Sequence, residues 1–217
     1  MCWAIWHARN QLSFNKNDIP VDYVIALSQR TLKEFMEANK RPQEKSSFQR
    51  TQWSRPATNR IKLNTDAGST KDGNWGFGMV CRDQDGEIIV AGNKICQAGI
   101  HIVEGEAQAL LWGLQVAKNC SIRRLEVESD CSQLISALNH NLEYLNELGP
   151  ILDEIKDTAM GFDEIRWSHL PRQANSLAHK IAADANVAEG MVWIEELPQQ
   201  WIHIWNEDLI NSVSSSS

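Results

Sequence analysis

The chain has 217 residues, a net charge of −7, 42% hydrophobic and 23% charged residues, proportions that exclude a disordered, collagen-like or coiled-coil protein. No apolar run approaches the ~18 residues a membrane span needs. The start, from Met1 to Arg9, lacks a basic stretch followed by an apolar one, so an intracellular protein without a membrane partner is expected, nucleus and cytoplasm left undecided. The charge is uneven: residues 1–60 carry ten Lys/Arg against five Asp/Glu, and residues 61–217 eleven against twenty-three. A basic arm on an acidic body suits a polyanion-binding appendage or a solvated linker. Cys2, Cys81, Cys96, Cys120 and Cys131 form no CxxC pair, which argues against a disulfide framework and a zinc site and for reduced, mostly buried thiols.

In chain order, helical patterns over residues 2–11 and 23–36 precede a polar stretch, 38–60, that contains Pro42 and Pro56 and reads as a linker. Residues 61–66 alternate apolar and polar side chains; 75–82 and 87–96 complete a three-strand antiparallel meander turned at Asp83 to Gly86. Residues 103–118 place Ala107, Leu110, Leu111, Leu114 and Ala117 at helical spacing. A strand over 124–129, helices over 131–139 and 146–160, a strand over 164–168 and a long helix over 172–188 follow. The expected fold is α/β, a five-stranded mixed sheet with helices on both faces. The division is a helical segment and basic linker, 1–60, a globular domain, 61–192, and a C-terminal extension, 193–217. In that extension, Trp201 and Trp205 either cover the sheet or form a partner surface.

Alternation puts Lys62, Asn64 and Asp66 on one face of the first strand and Glu126, Glu128 and Asp130 in the same phase of the fourth. If a right-handed crossover makes these strands parallel neighbours, Asp66 and Asp130 meet at the carboxyl edge of the sheet, where open α/β sheets place their ligands. Glu106, in the first turn of the connecting helix, leans over the same edge. Taken one at a time, each acid has an ordinary reading as a turn, cap or helix-dipole residue. Three convergent carboxylates without thiolate suit a hard cation such as Mg²⁺ or Mn²⁺.

Four blocks carry a family resemblance: Lys62 to Gly68, Trp75 to Asp83 with Gly86, Gly105 to Leu114, and Val127 to Cys131, with Asp130 twenty-four residues after Glu106 (130 − 106 = 24). Together they resemble the type 1 ribonuclease H domain, in the branch found in plant non-LTR retrotransposon polyproteins, where the domain is associated with a reverse transcriptase. Leu170 to Ala182 resembles the family's last loop and helix, but its fourth acidic position is His179 here. The resemblance implies a ribonuclease H-like fold and a metal-dependent endonuclease that hydrolyses the RNA strand of RNA–DNA hybrids. It assigns catalysis to Asp66, Glu106, Asp130 and His179, and two Mg²⁺ or Mn²⁺ ions to Asp66, Glu106 and Asp130. His169 and Arg172 would position phosphate or water.

Asn64, Gly68, Ser69, Asn74, Arg172 and Asn175 are the candidate nucleic-acid contacts, the first four facing the shallow minor groove of the hybrid. No basic, Trp-rich protrusion occurs between residues 139 and 150, so hybrid binding is expected to be weak and salt-sensitive. A monomer without a small-molecule cofactor is expected. A second reading, favoured by His179, is a nucleic-acid-binding remnant with little or no turnover.

Overall fold

Along β1 (Ile61–Ser69) the side chains of Leu63, Thr65 and Ala67 point to one side of a sheet and those of Lys62, Asn64 and Asp66 to the other. The computed structural model describes residues 52–96, 101–142, 144 and 146–214, with Arg9, 20–22 and 24–25. Residues 1–48 and 49–217 form separate units. Of the first, the structure describes little more than one turn, in which the Val24 N–H donates to the Pro20 carbonyl at 3.2 Å. The helices expected over 2–11 and 23–36 lie almost wholly outside the described residues.

In the second unit β1 pairs antiparallel with β2 (Trp75–Arg82), and β2 with β3 (Ile88–Cys96). Helix α1 (Ile102–Asn119) then carries the chain across to β4 (Arg124–Ser129), which lies parallel to β1 with Asn64 opposite Glu128. Helices α2 (Ser132–Asn139) and α3 (Leu148–Ala159) lead to β5 (Glu164–His169), parallel to β4. A 3-10 turn, Arg172–Asn175, opens into α4 (Ser176–Ala183), followed by β6 (Met191–Ile194) and α5 (Ile202–Ser214). The strand order is β5-β4-β1-β2-β3-β6.

The sheet therefore has six strands among the described residues rather than the five expected, and the boundary drawn at 193 falls inside β6. Four apolar residues after a polar loop are too few to stand out by period, and β6 exists because β3 offers it an unpaired edge. The helix expected over 172–188 ends at Ala183 for a related reason. The Val187 carbonyl accepts from the Ile95 N–H of β3 at 2.9 Å, which commits the chain to return along the sheet.

Two apolar layers enclose the sheet. Leu63, Met79, Val90, Leu125 and Val127 meet Leu110, Leu114 and Leu152 on the α1 and α3 side, while Val80, Ile88 and Ala91 meet Leu177, Ile181 and Trp201 on the other. The tail thus covers the sheet, with the Trp205 indole N–H donating to the Gly86 carbonyl at 2.8 Å. Among the described cysteines, all free, only Cys81 is fully buried.

The polar face of β1 is covered as well, contrary to a simple reading of its alternation. Lys62 Nζ lies 2.7 Å from Glu128 Oε1, and Asn64 donates to Glu128 Oε2 at 3.1 Å. Arg82 pairs with Asp208 of α5 at 2.7 Å and donates to Asn64 Oδ1 at 3.0 Å. Trp53 closes the network: it is 1% exposed, its indole donates to the same Asn64 oxygen at 3.0 Å, and its ring lies 3.7 Å from the Arg82 guanidinium carbon. Residues 53–60 therefore belong to the globular unit, although the sequence placed them in a linker.

Removing one member of a buried ion pair leaves the other charge uncompensated, which costs about 3–5 kcal/mol. Asp208→Ala is expected to lower unfolding stability by about that amount, read from urea denaturation, and Asp208→Asn by less because it still accepts a hydrogen bond from Arg82.

Candidate metal centre and active site

Parallel pairing of β1 and β4, with α1 as the crossover, decides where the acids fall. Asp66 lies in the buried half of β1, Asp130 follows the last residue of β4, and Glu106 faces them from the second turn of α1. One carboxylate oxygen from each lies within 4.8 Å of the other two. The Ala67 backbone N–H bonds to Glu106, which ties the start of α1 to β1.

Little compensates this charge. Burial holds the Glu106 proton from its usual 4.5 up to about 9, with Asp66 and Asp130 adding their repulsion. Burial also raises Asp66, opposed by a hydrogen bond from His179 and reinforced by Asp130. Glu106 Oε2 and Asp130 Oδ1 are buried without a hydrogen-bond partner. Unpartnered carboxylate oxygens in a cluster of three acids this close fit a hard divalent cation, which would supply the missing partner and remove the repulsion.

His179 reaches this cluster because of two glycines in β2. A Cβ added at Gly78 would collide with the Ala178 carbonyl and the Ala182 backbone, and one at Gly76 with the Ala182 carbonyl. Helix α4 therefore lies directly on β2, and Asn175 anchors its start by donating to the Thr65 carbonyl of β1 at 2.8 Å. His179 Nδ1 then sits 2.9 Å from Asp66 Oδ2, and Arg172 Nη2 lies 3.1 Å from His179 Nε2. The hydrogen bond to Asp66 raises the His179 pKa, and both burial and Arg172 oppose it.

The remaining candidates divide. His169 is exposed, with Nε2 3.2 Å from the Asp130 carbonyl, beside the cluster but bonded to backbone. Gly68 borders the site: a Cβ there would lie 3.6 Å from Asp66 Oδ2. Ser69 is exposed and Asn74 half-buried in the β1–β2 turn, where the Asn74 carbonyl accepts from Thr70 N–H at 2.8 Å. Asn64 does not reach any groove. It is 0% exposed and its amide is held by Trp53, Arg82 and Glu128, because Trp53 and α5 cover the strand face that its alternation suggested was open. Sequence reasoning missed Lys62 and Glu128 as the ties between the two acid-bearing strands; their shared phase with the acids, four residues before Asp66 and two before Asp130, was the available signal.

The sequence profile described as reverse transcriptase-like matches residues 64–185, more than half of the chain. The chain belongs to this reverse transcriptase-like family. No curated protein matches it. Among solved structures, this family member is similar to RNase H1 from Halobacterium salinarum, at 22% identity and TM-score 0.53, over 57% of this chain and 94% of that one. It is similar to the N-terminal RNase H domain of rv2228c from Mycobacterium tuberculosis, at 16% identity and TM-score 0.52, over 73% and 99%. LC11-RNase H1, solved with an RNA/DNA hybrid, matches at 19% identity and TM-score 0.52, over 58% and 95%. The globular unit of this reverse transcriptase-like protein is an RNase H-like domain. None of its described helices is long and apolar enough to cross a membrane.

An unfolded chain loses the Glu106 proton near 4.5 and the folded one near 9, so the metal-free fold loses stability as pH rises through that window. In EDTA, thermal unfolding at pH 9 is expected below that at pH 6, and Glu106→Gln is expected to flatten the difference. Millimolar Mn²⁺ should raise the unfolding temperature more at pH 9 than at pH 6 in the wild type and hardly at all in Glu106→Gln.

Proposed function

We propose that this RNase H-like domain is a divalent-metal-dependent endonuclease that hydrolyses the RNA strand of RNA–DNA hybrids and derives from a retrotransposon of the plant non-LTR type. The observation that carries the reading is the convergence of Asp66, Glu106 and Asp130 within 4.8 Å with two of their oxygens unpartnered. Asp66, Glu106 and Asp130 would hold two Mg²⁺ or Mn²⁺ ions, whose chemistry is to activate a water nucleophile and stabilise the departing 3′ oxygen.

The chain's own residues do the positioning. Asp66 is on β1, a strand paired with β2 on one side and β4 on the other, so its short side chain is held on rigid backbone. Glu106, whose pKa burial raises to about 9, would have to give up its proton to hold a cation. His179 holds Asp66 Oδ2 and so orients that carboxylate, while exposed Arg172 beside it presents a cation to the scissile phosphate. Gly68 and Ser69 at the end of β1, with Asn74 in the turn that follows, are the proposed minor-groove contacts, with small side chains that let the RNA backbone approach. Asn175, buried and bonded to β1, acts by fixing α4 rather than by touching nucleic acid. Few cations among the described residues face the site, so hybrid affinity is low, and the part of it that rests on Arg172 falls as salt rises.

A second reading rests on a specific contact. His179 already occupies an Asp66 oxygen that a cation would take, which favours a hybrid-binding remnant with little turnover. Cleavage of a labelled RNA–DNA hybrid in Mg²⁺ and in Mn²⁺ separates the two. The endonuclease reading expects cutting that falls below detection in Asp66→Asn, and His179→Asp to lower the metal concentration needed for half-maximal rate. Bound but uncut hybrid in both metals, with the protein folded, would establish the remnant instead.

A further inference from the structure

The two edges of the sheet are treated differently. On β5, Glu164 pairs with Arg60, and Asn139 of α2 donates to the Trp167 carbonyl at 3.3 Å, so charge and a neighbouring helix blunt that edge. On β6, nothing among the described residues pairs with the outer side. Met191, Val192 and Ile194 are 41%, 46% and 66% exposed, and the strand itself contains no charge and no proline.

The ladder phase shows which backbone groups are free. In an antiparallel pair, alternate residues exchange both hydrogen bonds with the partner and the residues between direct theirs away. The Glu195 N–H donates to the Ile89 carbonyl at 3.0 Å, and in the same register Trp193 faces Ala91 and Met191 faces Asn93. Val192 and Ile194 therefore turn their N–H and carbonyl groups outward, and these two residues are also the more exposed of the apolar side chains.

Charge selects the occupant. Glu189, Glu195 and Glu196, all exposed, flank the strand on both ends. A second copy paired antiparallel about Trp193 would bring Glu195 and Glu196 of one chain alongside Glu189 of the other, which is repulsive at both ends. An extended segment with basic ends meets the same glutamates favourably. We propose that β6 is a docking edge that accepts an extended peptide, apolar at alternate positions and basic at both ends, as a seventh strand. Main-chain bonds to Val192 and Ile194 hold it, their side chains contact its apolar residues, and the glutamates set its ends.

The test uses the full chain and a fluorescein-labelled peptide of sequence Arg-Lys-Thr-Val-Thr-Val-Thr-Val-Thr-Lys-Arg, with binding followed by anisotropy. Val192→Pro removes an outward N–H and no β3 hydrogen bond, so it leaves thermal stability near wild type and weakens binding by about tenfold or more, while Val192→Thr binds nearly as the wild type does. A peptide with Glu-Asp ends on the same core is expected not to bind. Hydrogen exchange at the Val192 and Ile194 amides should slow on peptide addition, with Trp193 and Glu195 protected throughout. Equal binding by Val192→Pro, or by the acidic-ended peptide, would overturn the proposal. So would sedimentation showing a dimer that Val192→Pro dissolves, since the edge would then belong to a second copy.

Discussion

Two parallel strands, β1 and β4, carry acids at their carboxyl ends and are tied together just before those ends by a buried ion pair and a hydrogen bond. Lys62 and Asn64 both reach Glu128, so the register that sets Asp66 beside Asp130 is pinned by charged and polar groups in a dry environment. A slip of one residue would break these ties and turn Asp66 to the opposite face of the sheet. The acids repel one another, and neither strand would choose this register for their sake. The ties behind them hold it against that repulsion.

The same network reaches well beyond the two strands. Arg82 extends it to β2 and, through Asp208, to the C-terminal helix, and Trp53 seals it from the N-terminal side. Ion pairs this deep are expensive to desolvate and are strongly missed when one partner is lost. Their arrangement explains why segments before β1 and after β6, unremarkable as sequence, belong to the folded unit. On the other half of that face, Gly76 and Gly78 let α4 lie on the sheet, which delivers His179 to Asp66 and Asn175 to β1. One side of a single sheet is thus divided between a charged clamp and a backbone-to-backbone contact, Asp66 sits where the two meet, and Glu106 reaches it from α1 on the other side.

The elements inside the family-like region were largely legible in the sequence. The three-strand meander, the crossover helix with Ala107, Leu110 and Leu114 inward, and the strand before Asp130 follow from period and turn chemistry alone. The candidate acids could be drawn to one edge by counting parity along two strands. Misjudged features lie where local pattern is weak or misleading. These are the short β6, the early end of α4, and Asn64, whose polarity suggested an exposed contact and whose surroundings made it the hub of a buried network.

What the residues alone determined, therefore, was the set of strands and helices, the phase of each acid along its own strand and the type of cation such oxygens favour, because all three depend on local period and donor chemistry. Only the tertiary structure decided that the polar face of β1 is closed over, that His179 bonds to Asp66, and that β6 takes one edge of the sheet and leaves its own outer side open. These outcomes depend on contacts between residues more than a hundred positions apart, Arg82 with Asp208 and His179 with Asp66 among them, for which a one-dimensional pattern carries no signal.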